Sequence, residues 1–425
     1  MSERSPQAAA AATAAPLGDR IVSLALRLAE FSETPDGLTC TYMTPAHRAT
    51  AKQLSEWMTA AGMSVMIDAV GNVVGRYASA DPAARTLIVG SHYDTVINAG
   101  NYDGRLGILA GLVAVEELQR TGRRLPFHLD LIAFAEEEGV RFSSPYIGSS
   151  AIAGRFDRAV LMRRDAGGQT VADVIHKNGH DPDKLGALAR RPDDLAGYLE
   201  VHIEQGPVLL EQNLPVGIVT SIAGNLRYSV TLTGVSGHAG TVPMPLRRDA
   251  AAAAAEIVLY VEKRCSVAPT LVGTVGRLSV PNGAINVIPG RCDLTLDIRA
   301  GDDATRDAAA ADVLAEIERI ARRRNIASEV KEIQRGPAVP CSPQLQAQFA
   351  RAMERAGHAA FHLPSGAGHD AVMFSGVTDI GMLFVRCGNG GISHSPLETV
   401  MASDADVAAR ILIDTITNFE PAHDC

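Results

Sequence analysis

The sequence predicts an α/β fold in which a largely parallel mixed sheet is flanked by helices and a smaller α+β domain is inserted into the chain. Apolar strands alternate with helices in the first half of the chain, which is typical of a parallel sheet covered by helices. Near Val216 the pattern changes to strands in which apolar and polar residues alternate. From about Gly336 the first pattern returns, so we expect one domain to interrupt another.

The first domain is predicted to open with two helices, because apolar residues recur at helical spacing over residues 19–31 and 45–61. Short strands are expected within residues 63–77. The next three elements are a strand, a helix and a strand, at residues 86–90, 106–121 and 127–135. Polar turns follow both strands, and ligands of parallel sheets gather beyond the carboxyl ends of the strands.

The segment at residues 217–335 has the order strand–helix–strand–strand–helix–strand if residues 270–280 form a strand. This order is that of ferredoxin-like α+β domains. We therefore expect a catalytic domain built from residues 19–216 and 336–425, with the inserted domain between them. The Ala-rich residues 1–18 lack the pattern of a secretory signal and are expected to be a disordered lead.

The composition of the 425-residue chain excludes several classes of protein. The net charge is -9, and no basic stripe suggests that the chain binds nucleic acid. No apolar run reaches the roughly 20 residues that a membrane helix needs, so no membrane partner is expected. The six cysteines form no CxxC pair, which is typical of reduced thiols in a cytoplasmic protein.

The turn after the strand at residues 86–90 carries one histidine and two aspartates. His92 and Asp94 are two residues apart at a strand end, so their side chains point to the same side. Asp103 follows a Gly/Asn-rich loop and directly precedes the predicted helix, where a carboxylate is favoured. These residues fit a metal site, and the alternative is a core histidine at His92 with a helix cap at Asp103.

Three further polar segments follow strands or lie in loops. Glu136, Glu137 and Glu138 come directly after an apolar strand, and adjacent carboxylates repel one another unless cations compensate them or the turn is solvated. His202 lies in an apolar strand, and His394 lies in a Gly/Ser loop; singly, each is typical of a core or a surface histidine. Together with His92 they supply the imidazoles and carboxylates that suit Zn, and also Mn or Co.

Seven motifs occur in an order that resembles the hydantoinase/carbamoylase family of dinuclear metal amidohydrolases: GSHYDTV…NYDGRLGILAG, EEEGVRF, EVHIEQGP, TGVSGHAGTVPM, PNGAINVIPG…TLDIR, SGAGHDA and GISHSPLE. This branch holds N-carbamoyl-L-amino acid hydrolases, allantoate amidohydrolases and β-ureidopropionases, and it is related to aminoacylases and carboxypeptidase G. The likeness starts at about Val22 and implies a metallopeptidase-like catalytic domain with an inserted lid and dimerisation domain. One departure is Cys40, where relatives often have arginine.

The resemblance implies two divalent metal ions per subunit, Zn or else Mn or Co, held by five ligands: His92, Asp103, Glu138, His202 and His394. Asp103 is expected to bridge both ions. His92 and His202 are expected to bind one ion, and Glu138 and His394 the other. Glu137, immediately before a metal ligand, is expected to be the general base. The Asp94 carboxylate is expected to lie beside the His92 imidazole and fix its tautomer.

The resemblance also implies a set of substrate-contacting positions: Gln205, His238, Asn286, Arg299, Gly366 and Gly368. His238 is expected to stabilise the tetrahedral oxyanion, while Asn286 and Arg299 are expected to hold the carboxylate of the substrate. By their residue types alone, His238 and Asn286 fit plain turns, and Arg299 fits a solvated strand end. In relatives these three residues act across a homodimer interface on the active site of the partner.

The sequence therefore predicts a metal-dependent amidohydrolase that cleaves the carbamoyl or ureido C–N bond of a small acid substrate, an N-carbamoyl-L-amino acid or allantoate, and releases ammonia. The first alternative is an aminoacylase or dipeptidase, which is disfavoured because peptidase relatives usually have a carboxylate at the position of His202. The second is an inactive dimeric binding protein, which is disfavoured because all predicted ligands and Glu137 are present.

Overall fold

The computed structural model describes residues 16–421, so most of the predicted lead and Cys425 lie outside the described residues. The helices of four or more residues are α1 (Leu17–Ala29), α2 (Pro45–Ala60), α3 (Arg105–Arg120), α4 (Ile147–Ile152), α5 (Val171–Lys177), α6 (Val208–Glu211), α7 (Ala250–Cys265), α8 (Asp303–Arg324), α9 (Pro343–Arg355), α10 (Ala371–Phe374) and α11 (Ala402–Thr417). None of the helices in this part of the chain combines the length and hydropathy that a membrane span requires.

The strands are β1 (Ser64–Ile67), β2 (Val73–Tyr77), β3 (Thr86–His92), β4 (His128–Phe134), β5 (Leu195–Ile203), β6 (Val216–Ile222), β7 (Gly224–Thr233), β8 (Gly237–His238), β9 (Leu271–Thr274), β10 (Leu278–Ser279), β11 (Val287–Ile288), β12 (Arg291–Ala300), β13 (Ala327–Gly336), β14 (Val339–Pro340), β15 (His362–Ser365) and β16 (Ile380–Val385). The predicted helices and strands of the first domain are all present, with ends shifted by one or two residues. Helix α1 begins at Leu17, earlier than expected, because the Asp406 carboxylate accepts a hydrogen bond from the Leu17 amide at 2.8 Å.

The chain forms two compact units. Unit 1 comprises the described residues up to Gly217, Ala347–Ala360 and the residues from Leu383 onward. Unit 2 comprises Ile218–Gln346 and Phe361–Met382. Unit 2 thus begins close to the predicted boundary but extends beyond residue 335, because β14 and β15 both pair with β6.

Unit 1 contains a mixed sheet in the order β1–β2–β4–β3–β5, followed by β16. Strand β3 pairs in parallel with both β4 and β5, whereas β1 and β2 add antiparallel at one edge. All residues of β3, β4 and β5 are buried, as expected for central strands covered on both faces. Helix α3 packs on these strands and against α1 and α11, which confirms the predicted α/β class.

Close packing of α3 on the sheet depends on Gly107. A Cβ atom at this position would lie 2.0 Å from the carbonyl oxygen of Val201 in β5. Only glycine therefore allows the first turn of α3 to approach the end of β5 so closely. This contact places the N-terminus of α3 beside the carboxyl ends of the parallel strands.

Unit 2 contains an antiparallel sheet in the order β10–β12–β7–β13, with β9 also paired to β12. The long elements follow the predicted order strand–helix–strand–strand–helix–strand, although the expected strand at residues 270–280 is broken into β9 and β10. Burial alternates along β7 and β12, so one face of the sheet packs on α7 and α8. The core of this unit includes Leu226, Val230, Ile257, Leu294 and Ile317.

Candidate metal centre

The predicted ligands from the first half of the chain meet at one edge of the sheet in unit 1. His92 is the last residue of β3, Glu137 and Glu138 follow β4, and His202 is the next-to-last residue of β5. These three strands are parallel, so their carboxyl ends lie side by side. This is the edge at which parallel sheets bind ligands.

Asp103 lies at the centre of the cluster. Its Oδ1 atom is 3.6 Å from Nε2 of His92 and 3.3 Å from Nε2 of His202. Its Oδ2 atom is 3.2 Å from Nε2 of His394. Each carboxylate oxygen therefore faces a different imidazole set, as a carboxylate that bridges two cations must.

Hydrogen bonds fix the orientation of the two buried imidazoles. Nδ1 of His92 lies 3.1 Å from the carbonyl oxygen of Asp94, and Nδ1 of His202 lies 2.9 Å from the carbonyl oxygen of Ile203. A carbonyl oxygen only accepts, so each Nδ1 carries the proton when the ring is neutral. Both Nε2 atoms then carry the lone pair, which is the tautomer that a metal ligand requires. In this structure Nε2 of His202 accepts a hydrogen bond from the Gly104 amide at 3.2 Å.

The second pair of predicted ligands lies on the other side of Asp103. Nε2 of His394 is 3.6 Å from Oε1 of Glu138. Hydrogen bonding to Asp103 raises the pKa of His394 to about 9, and burial raises the pKa of Glu138 to about 7. The buried carboxylates thus draw positive charge into the cluster, and a divalent cation would supply that charge directly.

Asp94 contacts both the acidic turn after β4 and the His92 imidazole. Its carboxylate accepts hydrogen bonds from the amides of Glu137 and Glu138, at 3.0 and 3.1 Å. The same carboxylate is 3.6 Å from Nδ1 of His92, farther than the backbone carbonyl of Asp94 itself. Asp94 therefore holds the acidic turn against β3, and its backbone orients the imidazole.

Glu137 lies at the rim of the cluster. Its side chain is largely buried, and Oε2 is 4.0 Å from Nε2 of His92. Its amide is held by Asp94. The backbone of Glu137 is thus held at the acidic turn, and its carboxylate lies beside His92.

The donor set fits divalent cations. Among the groups of candidate ligand atoms that lie within 4.8 Å of one another, three consist only of the predicted ligands and Glu137: His92–Asp103–His202, His92–Glu137–Glu138 and Asp103–Glu138–His394. Oδ1 of Asp103 is buried and has no hydrogen-bond partner in the described part of the chain. A buried carboxylate oxygen is normally satisfied, so this atom, aimed at two imidazole lone pairs, fits a metal ligand.

Gln205 is held in a strained conformation that places its amide in the site. Its φ angle is +56°, an uncommon value for a residue other than glycine. Its Nε2 atom donates to Oδ2 of Asp103 at 2.8 Å and lies 3.3 Å from Nε2 of His394. The predicted substrate-side residue is therefore in the cluster itself.

Sequence reasoning missed Ser393 and Glu398. The hydroxyl of Ser393 donates to Oδ2 of Asp103 at 2.7 Å. Oε1 of the buried Glu398 accepts hydrogen bonds from the amides of Tyr102 and Asp103, at 2.8 and 3.2 Å. The available signal was the segment GISHSPLE, in which a serine and a glutamate flank His394.

The predicted substrate residues of unit 2 form two groups. His238 is in β8, which pairs with β11, and the carbonyl oxygen of Asn286 accepts a hydrogen bond from the Ala239 amide at 2.9 Å. Arg299 at the end of β12 donates from Nη1 to the carbonyl oxygen of Gly366 at 2.8 Å. Gly368 is exposed in the same loop as Gly366.

Comparisons with known proteins identify the family of this chain. The family model for peptidase family M20/M25/M40 matches residues 88–418. An N-carbamoyl-L-amino acid amidohydrolase of Geobacillus stearothermophilus is 40% identical over 94% of this chain and 98% of its own length. An allantoate deiminase of Arabidopsis thaliana is 38% identical over 94% of this chain and 82% of its own length.

A solved structure supports the same assignment. The crystal structure of a hydantoinase/carbamoylase family amidase from Burkholderia multivorans superimposes with a TM-score of 0.89 at 31% identity, covering 95% of this chain and 98% of that one. The resemblance predicted from the motifs is thereby confirmed. The chain belongs to peptidase family M20/M25/M40, among homologues named for carbamoyl-amino acid and allantoate hydrolysis.

Proposed function

We propose that this chain is a metal-dependent amidohydrolase that cleaves the carbamoyl or ureido C–N bond of a small acid substrate, an N-carbamoyl-L-amino acid or allantoate. The products are ammonia, CO2 and either an amino acid or a smaller ureido compound. The observation that carries the proposal is Asp103, whose two carboxylate oxygens face different imidazoles, with the carboxylate of Glu137 beside them. The names of the relatives support the choice of substrate class.

The proposed cofactors are two divalent ions, Zn or else Mn or Co, with His92 and His202 on one, Glu138 and His394 on the other, and Asp103 between them. When bound, such ions polarise a carbonyl group and make water more acidic. Glu137 would accept a proton from the attacking water and return it to the leaving nitrogen. Asp94 keeps Glu137 in place for both transfers, because it holds the amide of that residue.

The proposed role of unit 2 is substrate binding. His238 would donate a hydrogen bond to the oxyanion, a kind of interaction worth about 3 kcal/mol in the transition state. Asn286 and Arg299 would hold the carboxylate of the substrate, with Gly366 and Gly368 supplying backbone beside it. We further propose a homodimer in which these groups act on the partner's site.

The test of the function is ammonia release by metal-stripped enzyme reconstituted with Zn, Mn or Co. The substrates are allantoate, β-ureidopropionate, N-carbamoyl-L- and D-amino acids, N-acetyl amino acids and dipeptides, with free amino acid measured in parallel. We expect metal-dependent turnover of ureido compounds only, and its loss in Glu137→Gln. Turnover only of acetyl or peptide substrates would show an aminoacylase or dipeptidase, and no turnover with metal bound would show a binding protein.

The homodimer has its own test. Glu137→Ala and Arg299→Ala are each expected to be inactive. If each site takes Glu137 from one subunit and Arg299 from the other, mixed dimers regain one intact site. Subunit exchange without any recovery of activity would contradict the assembly in trans.

A further inference from the structure

One face of the unit 2 sheet carries three charged side chains that contact one another. Strands β7 and β12 turn their apolar residues toward α7 and α8, and their polar residues lie on the opposite face. Arg227 and Asp297 are directly opposite each other in the β7–β12 register, and Arg299 follows two residues later on β12. These three side chains line a cavity of about 580 Å³ that Gly366 also borders.

Asp297 contacts both guanidinium groups. Arg299 donates from Nε to Oδ1 at 3.0 Å and from Nη2 to Oδ2 at 2.9 Å. Arg227 donates from Nε to Oδ2 at 3.0 Å. Although half-burial would raise the pKa of Asp297, its contacts with Arg299 and Arg227 hold the pKa below the usual value, so the carboxylate is ionised.

The two-point contact determines how the Arg299 guanidinium lies. A guanidinium binds carboxylates along either of two edges, one formed by Nε and Nη2 and the other by Nη1 and Nη2. Asp297 occupies the first edge, and the carbonyl oxygen of Gly366 accepts from Nη1 at 2.8 Å. The contacts with Asp297 and Gly366 therefore place the edge formed by Nη1 and Nη2 on the side of the guanidinium that faces Gly366.

The charge of Asp297 has to be balanced for such an arrangement to bind an anion. Asp297 with Arg299 alone would be neutral and would attract a carboxylate weakly. Arg227 adds a positive charge on the other side of Asp297, so the three groups together carry one net positive charge. That charge matches a substrate with a single carboxylate.

We propose that Asp297 is a positioning residue that orients Arg299 toward the carboxylate of the substrate, and that Arg227 is its charge-balancing partner. This inference rests on the proposed function, because it takes Arg299 as the group that binds the substrate. Asp297 touches no substrate atom itself. Its removal raises the net charge of the group to two but leaves Arg299 held through Gly366 without the two-point contact, and we expect the loss of orientation to outweigh the added charge.

The test compares KM and kcat of Asp297→Asn for an N-carbamoyl-L-amino acid and for its carboxamide, which lacks the charged group. We expect KM for the acid to rise about tenfold, with kcat within about twofold and no change for the carboxamide. Arg227→Gln is expected to raise KM for the acid about threefold at low salt, and less at high salt. It also tests the inference if Asp297→Asn fails to fold.

Asp293→Asn is the matched control. Asp293 is on the same strand and face, is bonded to Arg291 and accepts from Thr231, but has no contact with Arg299. An unchanged KM for the acid in Asp297→Asn, an equal rise for the carboxamide, or an equal rise in Asp293→Asn would each overturn the inference. If the wild type hydrolyses only N-acetyl amino acids or dipeptides, the proposed function fails, and the same variants are then compared on that acid and its amide.

Discussion

Gly104 offers a sharp test of whether the candidate metal centre depends on the position of His92. It is the residue between Asp103 and the start of α3, and its φ and ψ angles are +66° and −51°. A Cβ atom built here would lie 2.5 Å from the Cγ, Cδ2 and Cε1 atoms of the His92 ring. Gly104→Ala therefore acts directly on a predicted ligand without changing any donor group.

The magnitude follows from the geometry. Carbon atoms in contact are normally separated by about 3.5–4.0 Å, so the ring has to move by roughly 1 Å. His92 is almost fully buried and its Nδ1 is bonded to the carbonyl oxygen of Asp94, so the shift strains that contact. Metal–ligand distances tolerate only about 0.2 Å, and we expect divalent-metal affinity to fall by at least about tenfold.

Gly122 provides the matched control at the other end of α3. Its φ angle is +67°, but a Cβ atom there would have no atom within 4 Å. Gly122→Ala should lower the free energy of unfolding by about 1–3 kcal/mol through backbone strain alone, with metal affinity unchanged. The assay is metal content by mass spectrometry after dialysis against graded metal buffers, with urea unfolding of both variants.

The two variants separate strain from displacement of the ligand. Gly104→Ala should lower both the free energy of unfolding and the metal affinity, whereas Gly122→Ala should lower only the free energy of unfolding. If Gly104→Ala binds metal as tightly as Gly122→Ala, then His92 either is not a ligand or tolerates the shift. Either result would refute the reasoning that the Gly104 backbone positions this imidazole.

Three further predictions concern pH, positioning and metal removal. Burial lowers the pKa of His47 to about 3, whereas its value in the unfolded chain is 6.5, so the unfolded chain binds a proton first as pH falls. We expect the free energy of unfolding to fall by about 2 kcal/mol between pH 7 and pH 5. Urea unfolding at both pH values should show a smaller fall in His47→Gln. Glu398→Ala leaves the amides of Tyr102 and Asp103 without this acceptor and should lower the free energy of unfolding of the metal-stripped protein by about 2–4 kcal/mol. Glu398→Gln keeps Oε1, so its free energy of unfolding should fall by less than half as much. Chelation should lower Tm, and metal at about 100 times its Kd should restore about 2.7 kcal/mol; a Tm that is indifferent to chelator would contradict the metal site.

Local sequence pattern was sufficient to predict the parallel core and the strand ends. The burial of β3 and β4 is visible in their apolar runs at residues 87–89 and 131–134, and His92 and Glu137 are polar residues that follow these runs. Because parallel strands share one edge, the sequence also indicated that these side chains meet. The five ligand positions themselves came from the resemblance of motifs, since a lone His394 in a loop has no distinctive local pattern.

Long-range and backbone features were not accessible in the same way. The pairing of β15 with β6 joins residues far apart in sequence, and nothing in either segment specifies its partner. The Asp94 carboxylate lies 3.6 Å from Nδ1 of His92 and also binds two amides, and no side-chain pattern reveals these amide contacts. The acceptor role of Glu398 likewise depends on a backbone distant in the chain.

The contact between Glu398 and Tyr102 closes a segment of 296 residues. Loop-closure entropy for such a length is on the order of 5 kcal/mol, so this contact forms only when other interactions have already brought the two segments together. During synthesis the strands that carry His92 and His202 emerge well before His394 and Glu398. The loop that carries Asp103 thus obtains the acceptor for two of its amides from the C-terminal part of the chain.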